Sequence, residues 1–357
     1  MLSVRGAKRD PGGRFSRAIV QRGQQCEQRL HGCLAASPLV CNPPGVAYAD
    51  IKRRLDAGEV LLLDGGVGTE LERRGADMDP AAWCGLATRD NEALLTQIHV
   101  DYAHAGSDVI TANTFASSRV MLSAAGHGDD VVELNQRAVE AALRAKEQLA
   151  AEGRTVAVAG SLSHLMPMIP GTATVDPELV PTAAAVGEAF AELAEILRAA
   201  GVDLILLEMM YEPGRAKLAV DAAVGTGLPV WFGMSARRGE DGSAVAFHHF
   251  EDIPLDEIAR LIPATAHVAG AMHTPSELMG ETLAAVRAHF DGPMSAYPDS
   301  GYFEMPGWRF VDIIEPAVLE SFYAAWMQQG ARVLGGCCGL TVPHIEAANR
   351  ARAAFGA

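Results

Sequence analysis

The stretch Arg332-Val333-Leu334-Gly335-Gly336-Cys337-Cys338-Gly339 places two adjacent cysteines directly after a short apolar run. Seven similar runs precede it along the chain, and stretches with helical periodicity separate them. Most of the runs are apolar without alternation, which is typical of parallel strands covered on both faces. The eight predicted strands are Val60–Leu63, Asp108–Ala112, Val156–Ser161, Asp203–Glu208, Pro229–Ser235, Ala266–Ala271, Met294–Tyr297 and Arg332–Gly335.

The stretches between the runs predict amphipathic helices. One apolar stripe at spacings of four and three comprises Val186, Phe190, Leu193, Leu197 and Ala200. Thr274-Pro275 predicts an N-cap followed by proline at the first helical position. Eight strand–helix units favour a single (β/α)8 barrel, a TIM barrel, over an open doubly wound α/β sheet. The glycines of Asp64–Thr69 lack the spacing of a dinucleotide-binding motif.

Charge and length divide the chain into two parts. Residues 1–45 carry a net charge of +5 and no sustained periodicity, within a chain of 357 residues whose formal net charge is −15. We predict that they form an N-terminal extension that is disordered or outside the native protein, and that the barrel occupies residues 46–357. The acidic barrel argues against nucleic acid or an anionic membrane surface as partner. No apolar run approaches the roughly 18 residues of a membrane helix, and we expect a cytoplasmic protein with reduced thiols.

Polar residues follow each predicted strand. In α/β barrels the active site is built at the carboxyl ends of the strands, so we expect these residues to face one pocket. They are Asp64, Asn113 with Thr114, Ser161, Glu208, Ser235, His273, Asp299, and Cys337 with Cys338.

The adjacent cysteines Cys337 and Cys338 are candidate zinc ligands, because zinc prefers thiolate and imidazole donors. Two buried apolar cysteines or a strained vicinal disulfide are the alternatives. His273 is a candidate third ligand at another strand end, and hydrogen bonding at the rim is its alternative role. The other thiols are Cys26, Cys33, Cys41 and Cys84, and the first three match no zinc module in their spacing.

Two carboxylates, Asp64 and Glu208, follow the first and fourth strands. They can bind the ammonium group of an amino acid, or they can pair with a barrel arginine. Five aromatic residues are candidates for cation–π contact with a cationic methyl donor, or for simple packing. They are Trp83, Trp231, Tyr297, Tyr302 and Trp308. His248 and His249 lie in a polar loop and are expected to face solvent.

From about Ile51 to Ala353 the chain resembles the homocysteine S-methyltransferase family. The motifs that carry the resemblance are Leu62–Leu71 (LLDGGVGTEL), Arg74-Gly75, Ala105–Asp108 (AGSD), Thr111–Phe115 (TANTF), Asp203–Glu208 (DLILLE), Tyr297–Gly301 (YPDSG) and Gly335–Gly339 (GGCCG). The family has a (β/α)8 barrel and a zinc ion held by three cysteines. By position, the resemblance assigns Cys337 and Cys338 to zinc, and Asp64, Gly65 and Glu208 to homocysteine.

Asn113 and Thr114 complete our predicted substrate-binding set. The chain departs from the family where Gly270–Pro275 (GAMHTP) replaces a segment that carries the third zinc cysteine, and His273 stands in its place. A second departure is Ser163-His164, near which the family has Gly-Pro. Zinc with mixed cysteine and histidine ligands remains chemically sound.

The resemblance implies a zinc-dependent S-methyltransferase acting in methionine biosynthesis. It would move a methyl group from an onium-type donor, such as S-methylmethionine, S-adenosylmethionine or a betaine-like compound, to homocysteine, giving methionine. The alternatives are the same fold acting on another small thiol, a sulfonium demethylase, and a non-catalytic relative that binds a small molecule. The sequence leaves open whether the chain forms a homo-oligomer.

Overall fold

A computed structural model describes residues 46–356 of the chain. The predicted N-terminal extension, with Cys26, Cys33 and Cys41, lies outside the described residues. All eight predicted strands are present, and each begins and ends within two residues of its predicted bounds. They are β1 (Leu61–Leu62), β2 (Val109–Ala112), β3 (Ala157–Ser163), β4 (Leu204–Met210), β5 (Val230–Met234), β8 (Ala266–Met272), β9 (Met294–Tyr297) and β12 (Ala331–Leu334).

These strands form one parallel sheet in the order β1-β12-β9-β8-β5-β4-β3-β2. A parallel bridge between Leu63 and Val109 joins the first strand to the last one in this order and closes the ring. Closure gives every strand two hydrogen-bonded neighbours, which leaves no exposed edge. The predicted (β/α)8 barrel is therefore confirmed.

Helices surround the sheet. They are α1 (Val46–Asp56), α2 (Val67–Arg73), α3 (Thr88–Ala105), α4 (Arg119–Ala124), α5 (Val131–Ala151), α6 (Ala183–Ala200), α7 (Pro213–Gly225), α8 (Leu255–Ala259), α9 (Met279–Arg287), α10 (Pro316–Gln328) and α11 (Val342–Phe355). Four residues of the predicted stripe of α6 are buried, and Ala200 at its end is half-buried. Thr182 caps this helix at its N-terminus, and Gly201 ends it with φ 97°. No helix within residues 46–356 is long and apolar enough to cross a membrane.

The predicted N-cap at Thr274-Pro275 is wrong, because α9 begins at Met279. The Thr274 hydroxyl instead donates to the Met272 carbonyl at 2.8 Å and accepts from the Ala236 amide at 2.9 Å. These bonds connect the end of β8 to the segment after β5. The Thr274 hydroxyl is therefore used inside the barrel and does not cap a helix.

Two hairpins rise from the carboxyl ends of the strands. One consists of β6 (Ala236–Arg238) and β7 (Ala244–Ala246), and the other of β10 (Tyr302–Glu304) and β11 (Gly307–Arg309). Both follow barrel strands directly, and they add walls above the end of the barrel where an active site is expected.

Candidate metal centre and its two cavities

The cysteine pair follows β12 and is held by backbone hydrogen bonds to two neighbouring loops. The amide of Cys337 donates to the Pro298 carbonyl at 2.7 Å, and the Cys338 carbonyl accepts from the Ser300 amide at 3.0 Å. The Gly336 amide donates to the Asp64 carbonyl at 3.0 Å. These bonds fasten the loop that carries both thiols to the segments that follow β1 and β9.

Glycines near the pair are needed for close packing. A Cβ at Gly66 would lie 2.6 Å from the Cys337 carbonyl oxygen, so any larger residue would push the β1 and β12 ends apart. Neither Gly335 nor Gly336, which precede the pair, has a positive φ. The turn is at Gly339, with φ 78°, where a Cβ would lie 1.9 Å from the Ser300 carbonyl oxygen.

His273 meets the pair from the end of β8. Its amide donates to the Tyr297 carbonyl at 3.1 Å, and its φ of 41° is rare for a residue with a side chain. The imidazole Nδ1 lies 3.6 Å from the Cys337 sulfur, and the two cysteine sulfurs lie 3.8 Å apart. All three ligand atoms lie within 4.8 Å of one another.

These separations fit a tetrahedral zinc ion. Bond lengths of about 2.3 Å to sulfur and about 2.0 Å to nitrogen require sulfur–sulfur edges of about 3.8 Å and sulfur–nitrogen edges of about 3.6 Å. A vicinal disulfide would need sulfurs at about 2.0 Å, so the Cys337 and Cys338 thiols are free in this structure. Three protein ligands leave a fourth position open, as in catalytic zinc sites.

Protonation at the three ligands depends on their mutual contacts. Burial lowers the pKa of His273, but Asp299, Cys337 and Glu208 outweigh it and raise the value to about 9. The hydrogen bond with Cys338, together with burial, raises the pKa of Cys337 well above its usual value. A metal ion bound here must therefore displace protons from its ligands.

A small inner cavity of about 60 Å³ lies on one side of the cysteines. Its walls come from strand ends and glycine-rich turns. The polar residues that line it are Asp64, Thr69, Thr111, Asn113, Ser161, Glu208, Tyr297, Cys337 and Cys338. With Cys84, the cavity therefore offers two carboxylates and three thiols to a small polar molecule.

The two carboxylates of the inner cavity are each held by a neighbouring strand. The amide and hydroxyl of Thr111 donate to Asp64 at 2.6 and 2.8 Å, and the Ser161 hydroxyl donates to Glu208. Burial raises the pKa of Asp64 to about 7 against these hydrogen bonds. Burial likewise raises the pKa of Glu208 to about 7, and Asp64 adds to the effect. Neither forms an ion pair within residues 46–356, so the barrel-arginine alternative does not apply there.

Among the other predicted substrate-binding residues, Gly65 and Asn113 line the inner cavity. The Asn113 amide donates to the Cys84 carbonyl at 2.9 Å and to the Thr88 hydroxyl at 3.1 Å. Thr114 does not line this cavity, because its hydroxyl donates to the Ser161 carbonyl at 2.8 Å. It buttresses the end of β3 instead.

A larger outer cavity of about 320 Å³ adjoins the inner one, and Trp83, Phe115 and Cys338 line both cavities. Its walls are mainly aromatic and apolar. The lining includes Trp83, Phe115, Met209, Tyr211, Phe247, His249, His273, Asp299, Tyr302, Phe303 and Trp308. The His273 ring lies 5.0 Å from the Phe247 ring and 5.9 Å from the Trp308 ring between centroids.

Backbone strain concentrates around the outer cavity. Trp83, Met209 and His273 have φ values of 48°, 55° and 41°, and all three line it. Left-handed conformations of such residues are kept only where the surrounding structure demands them, and they cluster at functional sites.

A sequence model of the family described as Homocysteine S-methyltransferase matches residues 61–352. The chain belongs to this family. It is an S-methyltransferase, and the family match covers almost the whole barrel. The chain is 26% identical to Homocysteine S-methyltransferase 2 of Zea mays, across 87% of this chain and 96% of that protein. It is 30% identical to Betaine–homocysteine S-methyltransferase 1 of Mus musculus, across 84% of this chain and 74% of that protein.

The fold is also that of the Escherichia coli homocysteine methyltransferase MmuM in its metallated form. The TM-score is 0.65 at 22% sequence identity, over 84% of this chain and 99% of that one. In this member of the family, His273 lies where the resemblance implied a third cysteine, and its ligand nitrogen lies within 4.8 Å of both sulfur atoms.

The expectation that all strand-end polar residues face one pocket is wrong. They divide between two cavities, and Thr114 and Ser235 line neither. The Ser235 hydroxyl lies 3.2 Å from the Met272 sulfur, which satisfies it inside the barrel. Among the aromatic candidates, Trp231 also lines neither cavity. Its indole donates to the Tyr48 hydroxyl at 3.0 Å.

Sequence reasoning missed several residues of this family member's site. Thr111, which orients Asp64, precedes its strand end by a single residue, and Ser161 was expected to face the pocket but not to orient Glu208. Phe247 and Tyr211 line the outer cavity from the connections after β7 and β4. The hydroxyl residues carried a signal, since they lie one strand away from each carboxylate. The aromatic residues carried none, because nothing in their pattern distinguishes a cavity wall from packing.

Proposed function

We propose that the chain transfers a methyl group from an onium donor to homocysteine, giving methionine, with a zinc ion held by His273, Cys337 and Cys338. One observation carries the proposal. The three ligand atoms lie at the junction of the inner and outer cavities, and Cys338 lines both. A thiol entering from one side and a methyl donor from the other would meet there.

Zinc, when bound, supplies a Lewis acid that lowers the pKa of a coordinated thiol. The residues present suit zinc, because two thiolates and an imidazole are donors that it prefers. The backbone bonds of Cys337 and Cys338, and the strained backbone of His273, hold these groups in place before any ligand arrives.

The inner cavity would hold the acceptor. Asp64 and Glu208 provide the negative charge that an amino acid's ammonium group requires, and both are oriented by hydroxyl donors. Gly65 and Asn113 complete the wall on which the rest of homocysteine would lie. The acceptor's sulfur would then point to the cysteines that line the same cavity. The names of the two relatives, which both include homocysteine, agree with this assignment.

The outer cavity would hold the donor. Its aromatic faces suit a sulfonium or quaternary ammonium group, which cation–π contacts attract. Asp299 adds a carboxylate to this wall, and its Oδ1 is buried without a hydrogen-bond partner among the described residues. A cationic donor would provide the positively charged partner for this carboxylate.

The chain would then promote the transfer mainly by positioning the acceptor and the donor. Acceptor and donor are held on opposite sides of one point, so sulfur, methyl and leaving group can be placed in line. The aromatic wall of Trp83, Phe247 and Trp308 excludes water from this point. Exclusion of water strengthens the attraction between the cation and the carboxylates.

The test is methionine formation from homocysteine by the purified protein, with S-methylmethionine, S-adenosylmethionine, betaine and a methylfolate as donors. Zinc is measured in the same sample. We expect about one zinc per chain and turnover with at least one onium donor. Turnover only with cysteine or another thiol would contradict the acceptor assignment, and absence of both zinc and turnover would contradict the whole proposal.

A further inference from the structure

Glu72 is a half-buried carboxylate that contacts both tryptophans of the outer cavity but lines neither cavity itself. It lies on α2, the helix that follows β1. Both of its oxygens accept a hydrogen bond from the Trp308 amide at 3.0 Å, and one of them also accepts from the Trp83 indole at 3.4 Å. One carboxylate therefore connects two tryptophans that are far apart in the sequence.

No arginine or lysine within residues 46–356 forms an ion pair with Glu72. The two arginines that follow it, Arg73 and Arg74, pair with Glu70 instead. The partners of Glu72 are thus the neutral N–H groups of the two tryptophans. Hydrogen bonds to a carboxylate are stronger than those between neutral groups, so this carboxylate is a suitable anchor for both residues.

The backbone of the second hairpin leaves room for this carboxylate. Gly307, the first residue of β11, does not have a positive φ, so its conformation does not require glycine. A Cβ at Gly307 would lie 2.6 Å from Oε1 of Glu72 and would meet no other residue within 4 Å. Glycine at this position therefore permits the close approach of Glu72.

The hairpin of β10 and β11 is attached on another side to the loop after β3. The Met305 amide donates to the Thr172 carbonyl, and the Gly171 amide donates to the Met305 carbonyl, both at 3.1 Å. Glu72 provides a second attachment, to α2. The hairpin, whose Met305 and Trp308 line the outer cavity, is therefore held from two elements of the barrel.

Both indole N–H groups of the outer cavity are bonded to groups outside it. Trp83 donates to Glu72, and Trp308 donates to the Ser300 carbonyl at 3.0 Å. Neither acceptor residue lines the outer cavity. The two rings therefore contribute carbon surface to the cavity, and the face of an indole ring attracts a cation.

We infer that Glu72 is a positioning residue for the methyl donor, because it holds the rings of Trp83 and Trp308 at the outer cavity without touching the ligand. This inference rests on the proposed function. Glu72 acts through the reach of its side chain and not through its charge. Aspartate keeps the charge but is one methylene group shorter, whereas glutamine keeps the length and one acceptor oxygen. Reach and charge therefore predict opposite results for these two substitutions.

The experiment measures KM and kcat for S-methylmethionine, S-adenosylmethionine and betaine, with homocysteine as acceptor. The variants are Glu72→Ala, Glu72→Asp and Glu72→Gln, and Glu133→Gln on α5 is the control, because Glu133 is 72% exposed. We expect Glu72→Ala to raise the donor KM about 5- to 30-fold, which corresponds to the loss of two cation–π contacts. Glu72→Asp should match Glu72→Ala, and Glu72→Gln should show a smaller rise. The KM for homocysteine should rise by less than the donor KM, since other groups hold Asp64 and Glu208.

The opposite order of the variants would overturn the inference. If Glu72→Asp were close to wild type and Glu72→Gln were as impaired as Glu72→Ala, charge alone would explain the effect. A wild-type donor KM in Glu72→Ala would overturn the inference as well.

Gly307→Ala tests the same contact with Glu72 intact. The added methyl group would displace the flexible carboxylate and nothing else, so the donor KM should rise as it does in the Glu72 variants. Gly225→Ala is the control, because a Cβ at Gly225 meets nothing within 4 Å. In the Glu72→Ala background, Gly307→Ala should have no further effect, since the carboxylate that it displaces is gone. Independent effects of the two substitutions would contradict the proposed contact.

Failure of the proposed function gives a different result, namely no turnover by the wild-type protein with any of the three donors. Acrylamide quenching of tryptophan fluorescence in the ligand-free protein then decides the role of Glu72. Trp83 and Trp308 are two of four tryptophans, and they are only 5% and 4% exposed. Stronger quenching in Glu72→Ala and Gly307→Ala than in wild type supports the inference. Equal quenching in all three proteins overturns it.

Discussion

The inner and outer cavities meet at Cys338 but are built in opposite ways. Strand ends and glycine-rich turns form the inner cavity, and each of its carboxylates is held by a hydroxyl from the next strand. Hairpins and long loops form much of the outer cavity, and its walls are aromatic. The barrel thus provides a rigid polar site for one ligand, and the additions above it provide an apolar site for another.

This difference suggests that strand ends and loops of the barrel contribute different kinds of binding group. Groups that must be placed accurately, such as a metal ligand or a charged anchor, lie at or just after the ends of strands whose position is fixed by hydrogen bonds on both sides. Groups that recognise a variable partner lie on loops, which tolerate change without loss of the core. We therefore expect variants of the inner cavity to affect the acceptor, variants of the outer cavity to affect the donor, and only the shared ligands to affect both.

The largest effect should come from Cys338→Ala, which removes a shared ligand. We expect zinc affinity to fall by roughly 100-fold or more, and methyl transfer to be lost with every donor. Metal analysis of the dialysed protein checks the first point without reference to activity. Cys84→Ala is the matched control, because Cys84 is a buried thiol beside the inner cavity but outside the ligand set. A Cys338→Ala protein that kept its zinc would show that the metal site lies elsewhere.

Glu208→Gln should weaken acceptor binding alone. The change removes the negative charge but keeps the shape, so the KM for homocysteine should rise about 10- to 100-fold while the donor KM stays the same. Steady-state kinetics with each substrate varied in turn measure both values. Glu195→Gln, on the exposed face of α6, is the control. A rise in the donor KM instead would mean that the two cavities have been assigned the wrong way round.

Stability should depend on pH through the same carboxyl group. Burial raises the pKa of Glu208 from 4.5 to about 7, so the folded protein keeps a proton that the unfolded chain releases between these values. The free energy of unfolding of the metal-free protein should therefore fall as pH rises through this window, by on the order of 2 kcal/mol from this group.

Denaturant unfolding at pH 5 and pH 8 measures that fall. Asp64, whose pKa is also raised to about 7, contributes in the same direction. Glu208→Gln should make the difference between the two pH values smaller, since glutamine does not titrate. An unchanged difference in the variant would show that Glu208 is ionised in the folded protein throughout this range.

The inner cavity was largely predictable from the sequence, and the reason is topological. Parallel strands end at the same edge of a barrel, so a polar residue after an apolar run has few places to lie. That rule brought together Asp64, Glu208 and Cys337. It failed for Thr114 and Ser235, because a hydroxyl can turn back and bond inside the barrel. The resemblance to the family supplied the metal, and the structure supplied the position of His273 relative to both thiols.

The outer cavity was not predictable in the same way. Phe247 and Met168 are far from the cysteines in sequence, and no periodicity marks them as residues of this cavity. Their places depend on how the loops after β3 and β7 fold over the barrel, which is a matter of long-range packing. The strained backbone at Trp83 and Met209 has the same origin, since only the finished structure imposes it.

The smallest effect, and the sharpest test of the donor site, should come from Phe247→Leu. Leucine keeps the apolar contact but removes the aromatic face beside His273. Since one cation–π contact contributes about 0.5–1 kcal/mol, the KM for an onium donor should rise about two- to fivefold. Phe247→Tyr should restore it, and Phe322→Leu, on α10 where Phe322 stacks on Trp326, is the control for loss of a ring. If the donor KM were unchanged while the homocysteine KM rose, the aromatic wall would belong to the acceptor, and the separation of the two cavities by substrate would fail.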